Sequence, residues 1–232
     1  MSNIREIHDA SALNDIGINA NDNGNYEFAV KVFTKSIKIH PDDSDTYYHR
    51  GRAYTELGHN KKALRDYNKS IRLNPENVRA YYSRAFEYKK LGDLHKAIEN
   101  FSKFIEIYPQ IAIAYKKRGV VYDLLGEHEK AIEDYNEAIR LKPKYAEAYL
   151  DRALAYGNLG QDENAIQDLN TAINLSPDNG EAYLFRGLSY LEQKKYLLGY
   201  RDAKKASELG EDTLLEWVKN YKIKPVIKNI EK

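Results

Sequence analysis

Large and small apolar residues alternate at helical spacing within residues 112–145, a stretch of 34 residues. Counting its first residue as position 1, one helical face carries Tyr115, Gly119 and Tyr122 at positions 4, 8 and 11. Gly126 follows at position 15, where a glycine can take the left-handed conformation that commonly ends a helix. The pattern therefore predicts a helix that ends near position 15.

A second helix is predicted in the same stretch. Ala131, Tyr135 and Ala138 stand at positions 20, 24 and 27, again at helical spacing. Pro143 cannot continue a helix and marks the end of this one. The stretch is therefore predicted to be a helical hairpin. Because neither helix can bury its apolar face alone, copies of the hairpin must stack to complete a core.

The same residue types recur every 34 residues along the chain. Position 32 is a proline in five successive units, at Pro41, Pro75, Pro109, Pro143 and Pro177. Positions 4 and 11 are tyrosines in five units, at Tyr47, Tyr54, Tyr81, Tyr88, Tyr115, Tyr122, Tyr149, Tyr156, Tyr183 and Tyr190. This pattern resembles that of the tetratricopeptide repeat (TPR) family, in which aromatic and small residues and a proline recur over 34 residues. The resemblance covers residues 10–213 as six repeats.

The resemblance implies an all-α fold, a right-handed superhelical solenoid of six TPR helical hairpins. The expected repeats are residues 10–43, 44–77, 78–111, 112–145, 146–179 and 180–213. Residues 1–9 are a short polar lead. Residues 214–232 are expected to form a C-terminal capping helix over Leu214–Lys222 and, after Pro225, a tail.

Two positions outside the family pattern vary together. Position 7 carries an arginine in five successive repeats, and position 23 carries an aspartate or asparagine in the same repeats. The pairs are Arg50 and Asp66, Arg84 and Asn100, Arg118 and Asp134, Arg152 and Asp168, and Arg186 and Asp202. In the first repeat both positions are apolar, as Ile16 and Val32. This joint change predicts a ladder of buried or half-buried Arg–Asp pairs, although a row of arginines could instead bind an acidic ligand.

The face of each first helix opposite its packed side remains for function. In proteins similar to this chain, that face lines the concave groove of the superhelix and holds an extended peptide or a helix. The candidate partner-binding residues are Tyr48, Arg52, Arg79, Tyr82, Phe86, Lys89, Lys90, Lys116, Leu150, Leu154, Leu184 and Leu188. Aromatic rings flanked by Arg and Lys are typical of binding hot spots. The other interpretation is that Tyr48 and Tyr82 pack on each other.

The leucines among these residues form an apolar patch on the last two repeats. Glutamates flank it at Glu147, Glu181 and Glu192. A patch of this kind is too apolar to be left in water, so either a partner's apolar side chains or this chain's own segment 214–232 is expected to cover it.

Composition narrows the class of function. The 36 basic and 35 acidic residues nearly cancel, so no overall field favours nucleic acid or membranes. The chain has no cysteine, and His59, His95 and His128 lack metal-ligand spacing. No phosphate-binding glycine loop or nucleophile elbow appears. We therefore expect no enzymatic activity, no cofactor and no metal. The first residues lack the apolar core of a signal peptide, which favours a cytoplasmic protein.

The sequence is thus expected to encode a non-catalytic protein–protein interaction scaffold or adaptor. Its basic and aromatic middle favours a partner with acidic and apolar residues. The alternative is a self-assembling scaffold, a homo-oligomer in which residues 214–232 dock in their own or a neighbour's groove; RNA binding is a third, weaker interpretation. Some TPR proteins clamp a chaperone's terminal carboxylate with Lys at position 5 and Asn at position 9. Here Lys116 is followed by Val120, so that function is not transferred.

Overall fold

The computed structural model describes residues 9–220. Within that range the chain forms thirteen α-helices and no strands, which confirms the all-α expectation. The helices are α1 (Ala10–Asp22), α2 (Tyr26–Ile39), α3 (Ser44–Glu56), α4 (Asn60–Leu73), α5 (Val78–Lys90), α6 (Leu94–Ile107), α7 (Ala112–Leu124), α8 (His128–Leu141), α9 (Ala146–Asn158), α10 (Asp162–Leu175), α11 (Gly180–Glu192), α12 (Tyr196–Glu208) and α13 (Thr213–Asn220).

The first helices of the hairpins begin at a constant interval of 34 residues. Their first residues are Ala10, Ser44, Val78, Ala112, Ala146 and Gly180. In the first five hairpins the two helices join through a turn in which a glycine takes a positive φ, for example 76° at Gly126. In the last hairpin the corresponding residue is Lys194, with φ of 59°. A residue with a side chain is strained in this backbone conformation, so Lys194 occupies a position that favours glycine.

The chain divides into two compact units, residues 1–109 and residues 110–232. The first unit contains α1 to α6 and the second α7 to α13. Within each unit, helices of one hairpin pack against each other, and the second helix of a hairpin packs against the first helix of the next. Each unit is therefore a short solenoid, in which every hairpin completes the core of its neighbour.

In the first four hairpins an aromatic residue at position 24 fills the space between the two helices. Phe33, Tyr67, Phe101 and Tyr135 are all buried there. The small residue at position 8 makes room for it: a Cβ atom on Gly119 would lie 2.7 Å from the Tyr135 ring. The large residue at position 24 thus packs on the small residue at position 8, which explains why large and small residues alternate in the sequence.

The predicted arginine ladder is confirmed. Arg152 donates from Nε and Nη2 to the two carboxylate oxygens of Asp168, each at 2.7 Å. Its Nη1 donates to Asn136 of the preceding hairpin. The rings of Tyr149 and Tyr156 lie on either side of the guanidinium, with centroids 5.5 and 5.8 Å away. Arg152 therefore joins its own two helices and the hairpin before it.

A final helix packs on the last hairpin. Leu214 and Val218 of α13 are buried against Leu191, Tyr200 and Ala203. The helix covers apolar surface, as expected of the segment that begins at Leu214. It begins one residue earlier than expected, at Thr213, and is described to Asn220. The expected helix end at Lys222, the break at Pro225 and the tail lie outside the described residues.

Candidate functional site

The ladder arginines are occupied by the fold. The guanidiniums of Arg50, Arg118, Arg152 and Arg186 hold an aspartate in a two-bond fork. Their side chains are 15 to 19% exposed. A row of arginines that are already paired and largely covered is a poor receptor for an acidic ligand. The structural interpretation of position 7 is therefore the correct one.

In the first unit, the candidate residues lie on adjoining helices α3 and α5. We call this surface the α3–α5 face; its members are Tyr48, Arg52, Arg79, Tyr82, Phe86, Lys89 and Lys90. The expectation of a solvent-facing Tyr48 is wrong, because its ring is only 8% exposed. The Arg79 guanidinium covers it at 5.0 Å from the ring centroid and also pairs with Asp45 at 3.0 Å. The aromatic surface here is thus a guanidinium stacked on a tyrosine.

Tyr82 and Phe86 form an aromatic cluster with the second helix of their own hairpin. The Tyr82 ring lies 5.0 Å from Phe86, 5.7 Å from Phe101 and 4.9 Å from Phe104. Both candidate rings are half-buried, and burial raises the pKa of Tyr82. Tyr48 packs on Tyr67 of α4 instead. The two candidate tyrosines therefore pack within their own hairpins and not on each other.

The positive charges of the α3–α5 face differ in how they are compensated. Arg52 is exposed and Lys89 is half-exposed, and neither has an ion-pair partner among residues 9–220. Lys90 is 53% exposed, and its ammonium lies 3.6 Å from the carboxylate of Glu87. Glu87 is fully buried at position 10, where other hairpins have Ala53, Val121 or Ala155. The face therefore carries two unpaired cations beside its half-buried rings.

His49 lies next to this face, on helix α3. Its ring is buried between Phe33 and Tyr48. Burial lowers the pKa of His49 to about 4, with further lowering by Arg52 and Arg79. The imidazole is thus neutral near neutral pH. The sequence pattern gave no signal for it, because position 6 has no fixed residue type.

Lys116 belongs to the second unit and is largely covered. Its ammonium lies 3.0 Å from Asp151, and the side chains are 15 and 21% exposed. Burial raises the pKa of Asp151 and the charge of Lys116 opposes it. On the same helix, Asp123 accepts hydrogen bonds from Tyr135 and pairs with His128. These contacts show that Lys116 stabilises an internal polar cluster, which makes it a weak candidate for partner binding.

The leucines of the last hairpins line two cavities. A cleft of about 410 Å³ lies between α9 and α11 and is lined by Leu154, Leu169, Phe185 and Leu188, among others. A second, of about 220 Å³, is lined by Leu184, Leu188, Thr213, Leu214 and Trp217. Both share Leu188, so we treat them as one surface, the leucine groove. Leu188 is 37% exposed and Trp217 is 44% exposed.

Two details of the leucine groove differ from the expectation. Leu150 is only 5% exposed and belongs to the core with Ala153 and Leu169, because its side chain turns toward α10. It therefore offers little surface to a partner. Conversely, Trp217 lines the groove, although the sequence pattern indicated only a capping role for its helix.

Within the described part of the chain, no group of three or more His, Asp or Glu side chains is arranged to hold a metal ion. None of the helices described between residues 9 and 220 is both long and apolar enough to cross a bilayer.

Models of tetratricopeptide repeats match most of both units. A TPR repeat model matches residues 51–92, 124–160 and 158–194. Two further tetratricopeptide repeat models match residues 32–65 and 78–111. The chain belongs to the tetratricopeptide repeat family. TPR repeat proteins generally serve as protein-interaction scaffolds.

Solved TPR structures resemble this one. MamA is 28% identical over 74% of this chain and 94% of its own, with a TM-score of 0.68. A tetratricopeptide repeat protein from Parabacteroides merdae ATCC 43184 is 26% identical over 91% of this chain and 84% of its own, with a TM-score of 0.63. YrrB, a TPR protein with an unusual peptide-binding site, is 20% identical over 82% of this chain and 98% of its own, with a TM-score of 0.69. No curated protein sequence matches the chain.

Proposed function

We propose that this TPR protein is a non-catalytic scaffold that binds an acidic and apolar segment of a partner protein on the α3–α5 face. The observation that carries the proposal is the pairing of half-buried rings with cations that lack a carboxylate. Tyr82 and Phe86 on α5 offer apolar contact. Lys89 follows on the same helix and Arg52 lies on the adjoining α3, and neither has an ion-pair partner among the described residues.

The chemistry of the face selects the class of ligand. Rigid aromatic rings provide contact area at a low entropic cost, while flanking cations attract an acidic segment and fix its register. Arg79 adds a planar guanidinium on Tyr48, and its exposed pair with Asp45 is weak enough to be exchanged for a ligand carboxylate. A peptide that alternates acidic and apolar residues would satisfy both features.

The family supports the same class of function. The likeness to YrrB concerns the fold of this chain. The peptide-binding site named for YrrB is a property of YrrB itself. On this chain, the half-buried rings of Tyr82 and Phe86 and the cations of Arg52 and Lys89 are the features that such a partner could contact.

Selection from a displayed library of random short peptides tests this proposal. Wild-type protein should enrich peptides rich in Asp, Glu and large apolar residues. The variant Arg52→Glu/Lys89→Glu should lose them, whereas the matched variant Lys61→Glu/Arg72→Glu should keep them, because these two residues are exposed on α4. Equal enrichment by all three proteins, or no enrichment of acidic peptides by the wild type, would overturn the proposal.

A further inference from the structure

The leucine groove is an apolar surface with glutamates around it. Along α11, Glu181, Leu184, Leu188 and Glu192 follow one another at helical spacing on one face. Glu192 itself lines the larger cavity. Glu216 is exposed on α13, the helix that closes the smaller cavity. None of these glutamates has an ion-pair partner among residues 9–220. A ligand for this groove must therefore be apolar and basic.

The chain contains a segment of that chemistry directly after the groove. Residues 221–232 lie outside the described part, and their sequence is Tyr-Lys-Ile-Lys-Pro-Val-Ile-Lys-Asn-Ile-Glu-Lys. The segment has four lysines against one glutamate, together with three isoleucines, a valine and a tyrosine. Its composition complements the groove in both charge and apolar character.

The segment also starts beside the groove. Helix α13 is described to Asn220, three residues after Trp217, which lines the smaller cavity. Three residues advance a helix by about 5 Å, so the segment begins at the edge of the groove. Twelve residues span at most about 40 Å. A tether this short gives an effective concentration of about a millimolar or more, so even a weak intramolecular contact is populated.

We propose that residues 221–232 bind in the leucine groove of the same molecule, with their apolar residues on Leu184, Leu188 and Trp217 and their lysines toward Glu181 and Glu192. The segment then acts as a built-in competitor for this surface. An outside ligand must displace it or be basic and apolar in the same way. The inference rests on the second unit alone and is independent of the acidic ligand proposed for the α3–α5 face.

Intrinsic fluorescence reports the contact directly, because Trp217 is the only tryptophan of the chain. The full chain should be compared with a chain that ends at Asn220 and so retains α13. We expect the full chain to emit at shorter wavelength and to resist quenching by acrylamide. A synthetic peptide of residues 221–232 should restore both properties to the shortened chain in a saturable way.

A pair of variants in the full chain makes the test independent of the truncation. Glu181→Lys/Glu192→Lys should expose Trp217 to the quencher, and Glu129→Lys/Glu163→Lys, exposed glutamates on α8 and α10, should not. Identical emission and quenching in the full and shortened chains would overturn the proposal, as would protection that survives Glu181→Lys/Glu192→Lys. Protection that appears only as the protein dimerises would place the segment in a neighbour's groove and would also overturn it.

Discussion

Arg84 and Asn100 meet at 2.8 Å across the α5–α6 hairpin, at the point where four other hairpins bring an arginine onto an aspartate. The neutral amide leaves the Arg84 charge without a carboxylate in its fork. Burial lowers the pKa of Arg84, while Tyr88, Tyr81 and Glu99 oppose the effect. In Arg50, burial works in the same direction but is outweighed by the hydrogen bond and charge of Asp66, so its pKa is raised. The Arg84–Asn100 pair thus lacks the carboxylate that compensates the arginine charge in the other four pairs.

Completing that pair should stabilise the protein. In the variant Asn100→Asp, the new carboxylate can accept hydrogen bonds from both Nε and Nη2 of Arg84, as Asp168 does from Arg152. The variant loses the hydrogen bond that Asn100 donates to the carbonyl of Lys96. We expect a gain of about 1 kcal/mol in unfolding free energy, measured by urea denaturation. In an Arg84→Gln background the same change should destabilise, because the new carboxylate is then buried without a partner.

The complete pairs should show strong coupling. Asp168 is 6% exposed and Arg152 17% exposed, so Asp168→Ala leaves a largely covered cation and should cost about 3 kcal/mol. The double variant Arg152→Ala/Asp168→Ala should cost less than the sum of the two single changes by about 1–3 kcal/mol. Additive losses in urea denaturation would show that the pair does not stabilise the hairpin.

His49 should make the protein less stable in mild acid. Its folded pKa of about 4 lies below the ordinary 6.5, because burial and then Arg52 and Arg79 disfavour the cation; Asp45 and Asp22 oppose them. The unfolded chain therefore binds a proton that the folded chain does not, and stability falls as the pH drops from 6.5 toward 4. The loss attributable to His49 should approach about 3 kcal/mol near pH 4. His49→Gln should show a smaller decline than wild type between pH 7 and pH 4.5.

Lys194 offers a local test of the hairpin turns. Five turns place a glycine in the left-handed region, and this one places a lysine there at φ of 59°. Lys194→Gly should raise thermal stability by about 0.5–1 kcal/mol, since the relief of strain exceeds the entropy lost by glycine. Lys204→Gly, at an exposed position inside α12, should lower it by about 1 kcal/mol, because glycine is unfavourable in a helix interior.

The sequence alone could predict the parts of this molecule that depend on the 34-residue period. Tyr135 facing Gly119 and Arg152 facing Asp168 follow from helical spacing, because each contact lies within one repeat or between neighbours. The division into six repeats with the stated boundaries stays a prediction from that period.

The exposure of the candidate residues could not be predicted in the same way. Tyr48 and Leu150 stand at the same repeat position as Tyr82 and Leu184, yet they are more deeply buried, because Arg79 covers one and α10 the other. Likewise, the pairing of Lys116 with Asp151 depends on two residues of adjacent repeats that follow no pattern. The burial and pairing of these side chains depend on residues that are close in space, and the 34-residue period does not specify those neighbours.

A partner site on the α3–α5 face can be measured by calorimetric titration with an acidic, apolar peptide enriched by the wild-type protein. We expect saturable binding that weakens as salt is raised, since screening reduces the attraction of Arg52 and Lys89 for the peptide. Arg52→Glu/Lys89→Glu should bind at least about tenfold more weakly, equivalent to about 1.4 kcal/mol, and Lys61→Glu/Arg72→Glu should bind like wild type. Equal affinity in all three proteins, or binding unaffected by salt, would contradict a partner site on the α3–α5 face.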